Sequence, residues 1–178
     1  MSEHGGLLSK LIYFCVSIGL FALDLGTKIW AREILRFGES ITIIPRYLSF
    51  TYAENTGVAF SQLSGGGETG RWALSAIAAV AAVLVIYFLW RTPASLRLQR
   101  IAYNFLLAGI LGNLINRAAF GFVIDWIDVQ FGAWHYPTFN FADIAICTGA
   151  GLLILDLMFV GKTKEPGKTS GSDVRSID

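Results

Sequence analysis

The run Trp72–Trp90 contains no charged residue, and that commits it to a spanning helix. About 20 apolar residues at 1.5 Å rise cross a hydrocarbon core of about 30 Å, where backbone N–H groups must be satisfied inside the segment itself. Three further stretches have comparable length and character, near Leu7–Ile29, Ile101–Phe120 and Phe139–Val160. Together they predict an all-α membrane protein with four transmembrane helices, spanning about 7–29, 72–90, 101–120 and 139–160, in one integral membrane domain over residues 1–162. Composition agrees, with 54% hydrophobic against 15% charged residues, where soluble domains carry about 25% charged. A net charge of +1 offers no basic face to nucleic acid.

The stretch Leu11–Leu23 behind Lys10 has the outline of a signal peptide. It lacks a small-x-small cleavage pattern before Asp24 and is followed by more spans, so it reads as a retained helix that also directs insertion. Cys15 and Cys147 lie in apolar stretches and read as packing residues. With His4 and His135 the only imidazoles and no paired C-x-x-C or H-E-x-x-H spacing, no metal site is expected.

The connections carry their own signals. Ala31–Phe37, closed by Gly38, reads as a short interfacial helix. Leu48–Ala53 alternates apolar and polar residues as a small extracytoplasmic β segment, and Asn55-Thr56-Gly57 supplies turn chemistry. Gly65-Gly66-Gly67 reads as a flexible return to the membrane. Gly121–Thr138 alternates through Val123–Ile127 and is crowded with Trp126, Phe131, Trp134 and Tyr136, aromatics suited to the headgroup level. The tail 163–178 reads as disordered and cytoplasmic. Lys10, Arg91, Arg97, Arg100 and the tail lysines outweigh the basic residues of the other side, which predicts cytoplasmic termini with residues 31–68 and 121–138 outside.

An ionisable side chain at the centre of a bilayer costs about 3 kcal/mol, so a cluster of them marks a candidate site. Here the polar residues gather at one membrane face. Asp24 and Lys28 stand i,i+4 on the first helix, Asn113 shares a face with Asn116 and Arg117 on the third, and Asn140 with Asp143 on the fourth; Asn55 and Asp125 come from the outer loops. Gly109 and Gly112 leave room for another backbone or a substrate chain, and Asp156 reads as reaching the headgroups.

Each of these has a plain structural reading: Asp24 with Lys28 as an ion pair that lets the first helix end in the interface, Asn113, Asn116 and Arg117 as interhelical hydrogen bonds, Asp143 as a helix cap. Asp125 and Asp143 together ask for more. Two neighbouring carboxylates cannot both ionise cheaply, so one keeps a proton, and the pair then supplies a general base and a general acid. No G-x-S-x-G elbow and no Cys beside a His favours a covalent nucleophile. A transporter or proton channel built on the same residues is the competing class. Transporter sites lie near the midplane and often come with internal repeats, whereas this cluster is off-centre and no repeat is evident. A non-catalytic scaffold would leave the carboxylate pair unexplained.

The ordered set Asp24-Leu25-Gly26-Thr27-Lys28, Asn55-Thr56-Gly57-Val58-Ala59-Phe60, Gly112-Asn113-Leu114-Ile115-Asn116-Arg117, Val123-Ile124-Asp125-Trp126 and Phe139-Asn140-Phe141-Ala142-Asp143 resembles the lipoprotein signal peptidases, or signal peptidase II. The resemblance covers about residues 10–160 and rests on five blocks in order. It implies an intramembrane aspartic endopeptidase of the bacterial inner membrane, active near the extracytoplasmic face without a cofactor. Such an enzyme removes the signal peptide from diacylglyceryl-modified prolipoproteins before the lipidated Cys. It further implies Asp125 and Asp143 as the catalytic pair, Asn55, Gly57, Asn113, Arg117 and Asn140 as substrate-binding or orienting residues, and Asp24, Lys28 and Asn116 in support. Prolipoprotein precursors and membrane lipid are the implied partners of a monomer, and cyclic peptides such as globomycin the implied inhibitors. One position departs from the family pattern G-N-x-x-D-R: Asn116 stands where the Asp would be, keeping hydrogen bonding and losing charge.

Overall fold

The computed structural model describes residues 3–35, 39–57 and 68–160. Four helices dominate: α1 (Glu3–Ile34), α2 (Glu68–Arg91), α3 (Arg97–Phe120) and α4 (Phe141–Val160). Each is long and apolar enough to cross a membrane. Large apolar side chains such as Val83, Leu157 and Phe159 point outward at 65%, 75% and 65% exposure, as expected where lipid is the solvent. Helix α3 is the hub, packing on α1, α2 and α4.

The α3–α4 contact is close because glycines line it. A Cβ on Gly109 would collide with the Ala142 carbonyl and Ile146, one on Gly112 with the Asp24 carboxylate and Ala142, and one on Gly149 with the Ala102 carbonyl and Leu106. Small residues let backbones approach where lipid supplies no hydrophobic drive between helices. Of the two occupants expected beside Gly109 and Gly112, another backbone or a substrate chain, it is the α4 backbone that approaches. Helix α3 ends at Gly121, whose φ of 88° lets its N–H reach the Arg117 carbonyl at 2.8 Å, a left-handed cap that glycine adopts without strain.

Strands β1 (Ser40–Ile44), β2 (Leu48–Asn55), β3 (Val123–Phe131) and β4 (Trp134–His135) form one antiparallel sheet in that order. The β-like stretches expected separately in two connections are thus neighbours, with Ala53 opposite Asp125 and Asn55 opposite Val123. The sheet closes over the end of α1, where Ala31 and Leu35 pack with Tyr52, Ile124, Trp126 and Ile127. Trp126 makes edge contacts with Trp30, Phe50 and Phe141, at centroid distances of 5.6, 5.0 and 5.4 Å.

Several expectations change. Ala31–Ile34 is helical but continues α1 without a break, so it is not a separate interfacial helix; its proposed end at residues 36–38 lies outside the described residues, as do Gly65–Gly67 and the tail. Cys15 and Cys147 are exposed on their helices and are not packing residues of the core. Asp156 accepts a hydrogen bond from Gln99 at 2.7 Å, an α3–α4 tie where a headgroup contact was expected.

Candidate active site

Helix α4 opens with a reciprocal cap. The Asp143 N–H donates to Asn140 Oδ1 at 3.0 Å, and the Asn140 N–H donates to Asp143 Oδ2 at 3.2 Å. Two N–H groups that the helix cannot satisfy are thereby paired, in the manner of a capping box. The Asn140 side chain is fully buried and its Nδ2 donates to Asp125 Oδ1 at 2.6 Å. One asparagine therefore holds both aspartates, Asp143 through its main chain and Asp125 through its side chain.

Asp125 lies on β3 at 1% exposure. Its second oxygen, Oδ2, accepts from Asn55 Nδ2 at 3.0 Å. The Asn55 amide is oriented by the turn that follows β2: its Oδ1 accepts the Gly57 N–H at 2.9 Å, which leaves Nδ2 for Asp125. Gly57 has φ 76°, and a Cβ there would overlap the Leu74 side chain of α2. The positive φ favours glycine, and any larger residue would also have to displace Leu74. Gly57, expected among the substrate-binding or orienting residues, sets the direction of Asn55.

Asp24 and Lys28 form an ion pair at 2.7 Å with side chains 2% and 1% exposed. They do more than end α1 in an interface. Asp24 Oδ1 accepts the Ala142 N–H of α4 at 2.8 Å, where the helix dipole favours a negative charge. Lys28 Nζ donates to Asn113 Oδ1 at 2.9 Å, and Asn113 Nδ2 donates to Asp143 Oδ1 at 2.7 Å. The chain of contacts runs from α1 through α3 to α4 and ends on the second aspartate.

Asn116, 2% exposed, accepts the Ile124 N–H at 2.9 Å and so fixes the β3 backbone next to Asp125. An uncharged amide oxygen suffices for this bond, which accounts for Asn where the pattern has Asp. Arg117 lies within electrostatic reach of both Asp125 and Asp143, and its Nε is buried with no hydrogen bond.

Burial pushes the Asp125 carboxyl up to about 6, and the Asp143 charge adds to the rise; the hydrogen bonds from Asn55 and Asn140 and the Lys28 ammonium oppose it. A carboxyl poised nearer neutrality beside another carboxylate can exchange a proton with a bound water or a carbonyl oxygen.

The structure brings Asp24, Lys28, Asn55, Asn113, Asp125, Asn140 and Asp143 into one linked set, with Asn116 joined through Ile124 and Arg117 through charge. His135 stays out of it, paired with Asp128 at 3.0 Å on the other side of the sheet. Sequence reasoning missed the Ala142 N–H as the partner of Asp24; the D-x-x-x-K spacing gave no hint of a third helix. The Asn55-Thr56-Gly57 turn was read from the sequence, but not that it aims the Asn55 amide at Asp125.

A family model described as signal peptidase (SPase) II matches residues 16–159. The chain is 46% identical to the lipoprotein signal peptidase of Photorhabdus laumondii over 134 residues, covering 75% of this chain and 80% of that protein. It is 41% identical to the one from Pseudoalteromonas translucida over 160 residues, covering 90% and 95%. A solved bacterial membrane enzyme superimposes with a TM-score of 0.77 at 27% identity over 89% of this chain and 94% of that one. With most of its length matched, and its buried polar set falling inside the matched region, the chain belongs to the signal peptidase II family.

Proposed function

We propose that the protein is an intramembrane aspartic endopeptidase of the bacterial cytoplasmic membrane. It cleaves diacylglyceryl-modified prolipoproteins before the lipidated Cys, with Asp125 and Asp143 as the catalytic pair. The observation that carries this reading is Asn140, which binds both carboxylates at once and so holds two groups from different elements in fixed relation.

A water held between the aspartates loses a proton to the ionised member and attacks the scissile carbonyl, while the protonated member donates to the carbonyl oxygen. The proton taken from water then passes to the leaving amine as the C–N bond breaks, a gem-diol hydroxyl returns its proton to the aspartate that had donated one, and no covalent enzyme intermediate forms. Asp125, the member whose proton affinity burial has raised, carries the shared proton. Asn113 orients Asp143 and Asn55 orients Asp125. Arg117 offers its unengaged Nε to a substrate carbonyl, and the sheet edge at β1 borders an extended peptide. Asp24, Lys28 and Asn116 support the set. Cytoplasmic termini place this end of the bundle at the extracytoplasmic face. The reaction needs neither metal nor cofactor.

The test uses purified Asp125→Asn and Asp143→Asn with a lipidated precursor. Asn keeps shape and hydrogen bonding but cannot exchange the proton, so kcat falls by at least about 10²–10⁴-fold while thermal stability and membrane insertion stay near the parent's. Asn116→Asp is mild by comparison. Substantial cleavage by either aspartate variant rules out the pair.

A further inference from the structure

Away from the aspartates, α1, α2 and α3 leave a groove of about 660 Å³. Phe14 and Ile18 line one side, Ile86 and Trp90 the other, and α3 forms the floor from Arg100 to Leu111. That floor is about 16 Å long at 1.5 Å per residue, close to half of a hydrocarbon core of about 30 Å. The groove is therefore one leaflet deep, too shallow for a molecule that spans the bilayer.

Its polar content lies at one end. Arg100 is 95% buried there, with its guanidinium 4.8 Å from the centre of the Tyr13 ring. Arg91 and Arg97 are exposed nearby at the end of α2 and the start of α3. The first turn of α3 contains no acidic residue and no side-chain cap, so its dipole adds positive potential. Asp156 on α4 is engaged by Gln99 at 2.7 Å. Further in, Ser17 donates to Asn104 Oδ1 at 2.5 Å, and Asn104 Nδ2 donates to the Arg100 carbonyl at 2.6 Å. Ser17 and Asn104 thus pair within the wall, and Leu107, Ala108 and Leu111 continue the floor as an apolar surface.

A cationic mouth over an apolar trough one leaflet deep fits a ligand with a negative head and a long hydrocarbon tail. We propose that this groove holds an acyl chain of one anionic phospholipid from the leaflet opposite the aspartates, with its phosphate at Arg100. A signal-peptide helix is the poorer occupant, because its positively charged n-region would meet the arginines.

Native mass spectrometry of the purified full chain, exchanged into equimolar phosphatidylglycerol and phosphatidylcholine, reads the selectivity directly. The parent is expected to retain the anionic lipid about fivefold over the zwitterionic one, which is about 1 kcal/mol. Arg100→Gln loses that preference and Arg97→Gln keeps it. Ile18→Trp, which fills the trough and removes no charge, lowers retention of both lipids. Addition of millimolar inorganic phosphate leaves the preference intact. Quenching of the fluorescence lost in Trp90→Phe, by brominated phosphatidylglycerol more than by brominated phosphatidylcholine, supports the site even if Arg100→Gln fails to fold. Equal losses in the two arginine variants, no effect of Ile18→Trp, competition by free phosphate, or crosslinking of the groove to a signal peptide would each overturn the proposal.

Discussion

Asp125 binds a proton more tightly in the folded chain than in the unfolded one, because burial and the Asp143 charge both oppose its ionisation. The sign follows from linkage. The folded state holds the extra proton between about pH 4 and 6, so this residue's contribution to stability falls as pH rises through that window and is fully unfavourable above it. A rise from 3.8 to about 6 corresponds to a cost on the order of 3 kcal/mol at neutral pH. Infrared difference spectra should show one protonated carboxyl titrating near pH 6 and missing from Asp125→Asn. In Asp143→Asn that titration moves down, since a repelling charge is gone; in Asn55→Ala it moves up, since a bond to the carboxylate is gone. Opposite shifts would contradict the assigned causes. At the neighbouring turn, Gly57→Ala meets both φ 76° and Leu74, and should lower kcat by about 10-fold or more through misdirection of Asn55.

Helices α1, α3 and α4 are tied together by the Asp24–Lys28 pair and the two groups it touches. Lys28→Met leaves a buried carboxylate unpaired and should destabilise the fold by about 3–5 kcal/mol. The double variant Asp24→Asn with Lys28→Met removes both charges and retains an acceptor for the Ala142 N–H, so its melting temperature should recover part of that loss. A double variant as unstable as the single one would show that the charge itself was not the problem. Gly112→Ala tests the same junction by volume. A methyl between α3 and α4 pushes against Asp24 and Ala142, with an expected cost of about 1–3 kcal/mol and reduced cleavage.

For the whole molecule, proposed substrate selection and topology supply two more outcomes. A precursor lacking the diacylglyceryl group should be cleaved with kcat/KM lower by about 100-fold, the effect of an ångström-scale misplacement of the scissile bond; equal values in matched liposomes would defeat that account. Cysteines placed at residues 64 and 170 should react with an impermeant reagent in intact cells at 64 only. The four helices were legible in the sequence because lipid leaves a long apolar run few alternatives. The site was legible as a convergence, since Asp24, Asn113, Asn140 and Asp143 each mark a helix end facing the same side. Strand β1 was not. Residues 40–43 alternate polar and apolar side chains, but the strand is exposed throughout, so the alternation marks no buried face and its place follows from pairing with β2. Nor could local pattern reveal that β2 and β3 pair across distant connections, or that α4 occupies the space beside Gly109 and Gly112.

The bond from Asp24 to the Ala142 N–H spans 118 positions of the chain, from near the beginning to near the end. During synthesis the Asp24 carboxylate therefore waits in the membrane with Lys28 but without its Ala142 partner until the fourth helix arrives. Asn140 and Asp143 enter with that same helix, so Asp125, already held by Asn55, gains its second tie and its partner carboxylate only then. A ribosome-bound chain arrested ahead of residue 140 should be inert, and activity should begin with the last span. On the proposed mechanism, the order of synthesis withholds the paired aspartates until the last span is in place.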